Sequence, residues 1–171
     1  MKVFTSWLAL AVLVFGVGCS NQNNISYKDG VQKALQQADL KDVTVSEDKD
    51  KNTITLGGKL HSDDAKAKAA EVAKSAAGTR IIANEISVQP VGSESEARDV
   101  ASNLDDAIEK NYKAALISSG LEKQHVDFKA KNGVLTLTGR VHDANQRQHA
   151  EKLAAGIPNV QQVLNQIEVR R

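Results

Sequence analysis

Across 171 residues the chain carries 22 basic and 21 acidic side chains, so no global positive field is available to hold a nucleic acid. One cysteine, Cys19, excludes a disulfide within the chain. The length suits one domain or two small ones.

Residues 1–18 place Lys2 before an apolar run from Trp7 to Phe15 and close on Gly16-Val17-Gly18, the pattern of a secretory signal. The run is too short for a bilayer span, which takes about 20 apolar residues. Gly18-Cys19 resembles a bacterial lipobox, with Gly16 where leucine is usual. The resemblance implies a lipid on Cys19, and Ser20 after it implies an outer-membrane address facing the periplasm. The alternative is an ordinary signal and a soluble periplasmic or secreted protein. Residues 19–26 read as lipidated cysteine and polar tether.

In residues 27–89 the first folded unit begins with Tyr27, Val31, Ala34, Leu35 and Ala38 at helical spacing. Val43-Thr44-Val45 predicts a strand, residues 46–52 a polar turn, and residues 53–60 a second strand. Gly58 stands where an apolar side chain would fit, which marks a bulge or a close backbone approach. Ser62 or Asp63 can cap a helix bearing Ala65, Ala69, Val72, Ala73 and Ala76. Gly78 suits its C-terminal cap. Ile82, Asn84, Ile86 and Val88 predict a last strand, with Asn84 breaking the apolar phase.

Gln89 to Glu96 has the composition of a linker, set at residues 90–97. Residues 98–171 repeat the pattern. A longer helix carries Leu104, Ala107, Ile108, Tyr112, Ala115 and Leu116. Val126 and Phe128 alternate in a strand, and Asn132-Gly133 predicts a type I′ hairpin turn. Leu135, Leu137 and Val141 follow, then a helix capped by Asp143 and running to about Ala155, then Val163, Asn165, Ile167 and Val169.

The two units superpose in sequence at a constant offset, as Ile54 on Leu135 shows (135 − 54 = 81). At that offset Gly58 meets Gly139, His61 meets His142, Asn84 meets Asn165, and Gly78 meets Asn159, the other residue that tolerates a left-handed conformation. Each unit is neutral, with 10 basic and 10 acidic residues in 20–90 and 11 of each in 91–171. The predicted fold class is α+β: two tandem small domains, each helix-strand-strand-helix-strand, with a three-stranded sheet and both helices on one face. Cores of this size are marginal alone, so the units are expected to pack together through their open sheet faces or their helices.

Gly133-Val-Leu-Thr-Leu-Thr-Gly-Arg-Val141, an alanine-rich helix, then Val163-x-Asn-x-Ile-x-Val169 resembles the BON domain of bacterial osmotically inducible and nodulation proteins. Residues 53–60 and 82–88 carry the resemblance in the first unit. It implies a non-enzymatic, periplasm-facing role. The domains would bind phospholipid surfaces or an envelope protein partner and support osmotic or envelope stress tolerance.

Candidate chemistry is sparse. His61, His125, His142 and His149 show no metal-ligand spacing. Asp63-Asp64 and Asp105-Asp106 are adjacent on helices and face different ways, so they read as caps and solvated faces. Serine-nucleophile and phosphate-loop motifs are absent, which leaves no basis for an enzyme or a cofactor. Tyr27, Tyr112 and Phe128 stand in apolar phase, where rings serve a core rather than stack on bases. The candidate phospholipid contacts are Lys110, Lys113, Lys123, Lys129, Lys131 and Arg140, each contributing about 1 kcal/mol near an anionic surface. Asp105, Asp106, Glu109 and Glu122 could cancel their field. A protein partner could instead add a strand along residues 81–88 or 163–169.

Overall fold

The computed structural model describes residues 26–170. The signal segment, Cys19 and the tether up to residue 25 lie outside the described residues. The first unit comprises α1 (Lys28–Gln37), β1 (Val43–Asp48), β2 (Thr53–Leu60), α2 (Asp63–Ala76), β3 (Ile81–Asn84) and β4 (Ser87–Val88). The second comprises α3 (Glu94–Ser118), a 3₁₀ turn (Leu121–Lys123), β5 (His125–Lys131), β6 (Val134–Val141), α4 (Ala144–Ala155), β7 (Gln162–Asn165) and β8 (Glu168–Val169).

Each sheet has three lanes. β2 is central, antiparallel to β1 and parallel to β3 and β4, which share the third lane; β6 has the same place among β5, β7 and β8. A parallel neighbour requires a crossover, and α2 and α4 supply it. Both helices of a unit lie on one face. Val31 and Leu35 of α1 and Ala69 and Ala73 of α2 close over Val43, Val45, Ile54 and Leu56. Ile108, Tyr112 and Leu116 of α3 and Ala150 and Ala154 of α4 close over Leu135, Leu137 and Val141. The alanines let the crossover helices lie close to the strands.

The break in each third lane has a physical cause that repeats. The Asn84 carboxamide oxygen accepts the Ile86 N–H, 3.4 Å, and its nitrogen donates to the Lys66 carbonyl on α2, 3.0 Å. Asn165 does the same with Ile167, 3.1 Å, and with Arg147 on α4, 3.3 Å. The asparagine thus turns the strand and staples it to the crossover helix.

Three details depart from the sequence expectation. β1 runs on through Ser46, Glu47 and Asp48 rather than turning there, because Glu47 finds partners in Ser26, Tyr27 and Arg80 and Ser46 pairs with Thr55. α3 begins at Glu94, inside the segment read as linker, with Glu94 and Glu96 in the first turn, where the helix dipole favours negative charge. Helix α4 ends at Ala155, so Asn159 lies beyond the cap rather than at it. Pro158 lacks an N–H and cannot continue a helix. Asn159 still holds φ 68°, beside 61° at Gly78.

The units meet through the sheet faces turned away from the helices. Ala83, Val134 and Leu164 form a small buried apolar cluster between them. Around it the contact is polar. The Gln162 carboxamide donates to the Ile82 carbonyl, 2.6 Å, and accepts from the Asn84 N–H, 3.2 Å, so it closes the outer edge of β3 as a strand would. Residues 81–84 are therefore not an open edge for a partner strand. Asn132 donates to the Glu85 carbonyl, 2.8 Å, and Gln166 to the Thr53 hydroxyl, 3.3 Å.

Candidate functional site

The basic side chains expected to meet a membrane divide into two sets. Lys129 pairs with Glu109 at 2.9 Å, Lys131 with Glu85 at 2.8 Å, and Arg140 with Glu168 at 3.1 Å. Lys110, Lys113 and Lys123 are exposed and have no ion pair among the described residues. Spacing explains the division. On α3, Ile108, Tyr112 and Leu116 turn to the core, which leaves Lys110, Lys113 and Ile117 on the opposite stripe. Ile117 is 54% exposed and lies beside these two lysines.

The acidic residues of α3 do not simply cancel this field, because two are engaged on the hairpin. Asp105 accepts the N–H groups of Asn132, 2.7 Å, and Gly133, 3.0 Å. Glu109, one turn on, accepts the Ala130 N–H at 3.0 Å. Burial pushes the Glu109 carboxyl up, but the Ala130 N–H and Lys129 outweigh burial and hold it below its usual range. Asp105 is thus more than the solvated side chain that its spacing suggested. The turn it holds has φ 48° at Asn132 and 82° at Gly133, the two positive angles of a type I′ turn.

Gly58 and Gly139 hold φ 103° and 104°. A Cβ there would collide with the carbonyl oxygens of Asp42 and His125. Both glycines let the outer strand approach the central one closely.

Sequence reasoning missed a buried polar cluster at the start of the first unit. Glu47 on β1 accepts the Ser26 hydroxyl, 2.8 Å, and the Tyr27 N–H, 3.2 Å, and so caps α1 from a distant strand. Its side chain is 4% exposed and lies 3.4 Å from the Arg80 guanidinium. Arg80 also donates to Asn52, 2.7 Å, and stands 5.3 Å from the centre of the Tyr27 ring. Burial pushes the Glu47 carboxyl up; the Ser26 hydroxyl, the Tyr27 and Lys28 N–H groups and Arg80 outweigh it, and the net shift is downward. At the same positions the second unit has Phe128, Gln161 and Ile108. There Phe128 meets Tyr112 edge to face, with ring centres 5.0 Å apart.

Lys66 lies between the units and donates to the Asn132 carbonyl, 3.2 Å, and to Gln161, 3.4 Å. Burial pulls its ammonium down, against Asp63 and Asp105, which pull it up. The histidines are scattered. His61 contacts the Gln89 carbonyl at 2.9 Å, and no group of three metal-ligating side chains exists among the described residues. No described helix is long and apolar enough to cross a membrane.

Two small α+β units of one topology, joined through their sheets and with no group of three metal-ligating side chains among the described residues, define a tandem-domain α+β protein. The chain belongs to the BON domain family, whose model matches residues 28–90 and 104–171. BON domains are associated with membrane and phospholipid binding in the bacterial envelope. No curated protein matches the chain. Among solved structures, the chain is similar to the C-terminal domain of CdsD, a structural protein of the type III secretion system of Chlamydia trachomatis. Identity is 15% over 81% of this chain and 62% of that one, with a TM-score of 0.35. A second CdsD structure gives 14%, 84%, 61% and 0.35. The chain thus spans under two thirds of those chains, and so loose a likeness has no bearing on function.

Proposed function

We propose that this protein is a non-enzymatic envelope lipoprotein, anchored at Cys19 to the outer membrane and facing the periplasm. Its second BON domain rests on an anionic phospholipid surface through the outer stripe of α3. The observation that carries this reading is the placement of Lys110 and Lys113 beside exposed Ile117, with Lys123 just beyond the helix and no ion pair on any of the three lysines among the described residues. Three basic groups near an anionic surface contribute about 3 kcal/mol, and burying one apolar side chain adds about 2 kcal/mol. Together with a lipid anchor this holds the domain flat on the membrane and supports envelope integrity under osmotic stress.

Residues 20–171 contain both cores and serve as the test protein. Co-flotation with anionic vesicles should exceed that with neutral ones, weaken from low to physiological salt, and fall about 100-fold on reversing Lys110 and Lys113 to glutamate. Equal binding by the reversed variant would remove α3 from the contact.

One observation favours a second reading, a periplasmic protein–protein adaptor. Gln162 closes the outer edge of β3. Ile81 stands at the equivalent place in the first unit and cannot make such bonds, so β7 keeps an edge for a partner strand. Salt-insensitive capture of one protein, lost when proline replaces Val163, would favour it.

A further inference from the structure

A concavity lies on the far side of the second sheet, away from α3, with a volume of about 410 Å³ and a wide mouth. The size is within the range of small-molecule sites. Its walls are Lys51, His125, Asp127, Arg140, Glu168 and Arg170. Strand register explains the convergence. His125 pairs with Arg140 and Arg140 with Glu168, so the three form one row across β5, β6 and β8 on the same face. Asp127 lies two residues further along β5, and Arg170 follows directly after β8. Lys51 comes from the β1–β2 turn of the other unit and reaches Glu168 at 2.9 Å, so the cavity is complete only when the units are docked.

The charges here are not mutually satisfied. Glu168 is shared by two cations, Lys51 and the Nε of Arg140. The two terminal nitrogens of Arg140 have no hydrogen bond among the described residues, and Arg170 and Asp127 have no ion pair there. An unengaged guanidinium fork matches two oxygens of a phosphate, and the ammonium of Lys51 with Arg170 adds charge beside it. A simple polyanion fits poorly, because Asp127 and Glu168 repel it. A ligand with a phosphate at one end and an N–H donor at the other answers both signs.

We propose that this interdomain cavity binds a zwitterionic phosphate ester of the phosphoethanolamine kind. Its phosphate lies on Arg140, Lys51 and Arg170, and its ammonium lies on Asp127. The site is independent of the α3 stripe. The same chemistry comes from a soluble ester or from a lipid headgroup, and the test separates the two.

Residues 20–171 are titrated with glycerophosphoethanolamine, followed by calorimetry and by the NMR signals of His125 and Gly139. Saturable binding is expected, about tenfold weaker in Arg140→Gln and in Asp127→Asn, and unchanged in Lys110→Glu/Lys113→Glu. Glycerophosphocholine, which has no N–H, should bind as weakly as the Asp127→Asn variant binds its amine analogue. Added binding to phosphatidylethanolamine in phosphatidylcholine vesicles, lost in Arg140→Gln, assigns the ligand to the membrane; its absence, with the soluble ester still bound, assigns it to a free ester. No saturable binding, or inorganic phosphate and glycerophosphocholine binding as well as the amine, overturns the proposal. All four side chains to be changed are exposed, so the fold is retained in each variant, and its melting temperature verifies that.

Discussion

Ala83 and Leu164 occupy the same position in the two repeats (164 − 83 = 81), and they join each other in one buried cluster with Val134. Equivalent residues that meet lie on a twofold axis. The surrounding contacts follow the same rule. The start of β2 reaches the third lane of the second unit through Thr53 and Gln166, and the β5–β6 turn reaches that of the first through Asn132 and Glu85. The two units thus form an internal pseudo-dimer.

The apolar centre of that contact is small, so a single charge should open it. Ala83→Glu puts a carboxylate into a site with no exposure, at a cost of several kcal/mol. Small-angle scattering should report a larger radius of gyration while far-UV circular dichroism keeps its helix and strand signal. An unchanged radius would show that polar contacts alone hold the units together.

Gly139→Ala tests the close approach of β5 to β6. The backbone angle is strained for any side chain, at roughly 1–3 kcal/mol, and the new Cβ meets the His125 carbonyl. A loss of about 3 kcal/mol in denaturant unfolding is expected, and Gly58→Ala should resemble it. A loss below about 1 kcal/mol in both would mean that the strands separate easily there.

Glu47 makes stability depend on pH in a definite direction. Its carboxyl titrates near the usual 4.5 when unfolded and lower when folded. The stabilisation is therefore complete above 4.5 and is lost as pH falls through the lower, folded value. Glu47→Gln should flatten that part of the stability–pH curve. Glu47→Ala leaves Arg80 without its buried counter-charge and should cost about 3 kcal/mol at neutral pH. A curve unaltered by Glu47→Gln would assign the acid transition to other carboxylates, Glu109 among them.

Tyr112 is fully buried, its hydroxyl donates to the Ala150 carbonyl at 3.2 Å, and burial pushes its phenol far above its ordinary value. Tyr112→Phe keeps the edge-to-face contact with Phe128 and loses one hydrogen bond, about 1 kcal/mol. Tyr112→Ala loses the ring as well, about 4 kcal/mol. Equal losses in the two variants would mean that the ring contact contributes nothing.

The order of elements was legible because local patterns set it. The apolar spacing of α2 and α4, the Asn132-Gly133 turn and the two asparagines in the third lanes each act within a few residues. What escaped was non-local. Glu47 looked like turn because its partners Ser26, Tyr27 and Arg80 lie 20 or more positions away. Gln162 carries no local signal, since only the neighbouring unit gives it the edge of β3 to close. Asp105 gave no sign of the turn it holds 27 residues on. The start of α3 was missed because Ser93, Glu94, Ser95 and Glu96 are as common in linkers as in first turns. For the surface, spacing separated Lys110 and Lys113 from the core face, but it could not reveal that Lys129, Lys131 and Arg140 are engaged.

The pseudo-dimer has a consequence for how the chain can change. In a true homodimer every substitution appears twice, once on each side of the axis. Joining the halves in one polypeptide removes that coupling. Gln162 closes one edge while Ile81 leaves its twin alone, and Glu47 with Arg80 holds one helix start where Phe128 and Gln161 stand in the other. One half is thus free to specialise in being held while the other specialises in holding, and a single-residue variant can address either without altering its counterpart.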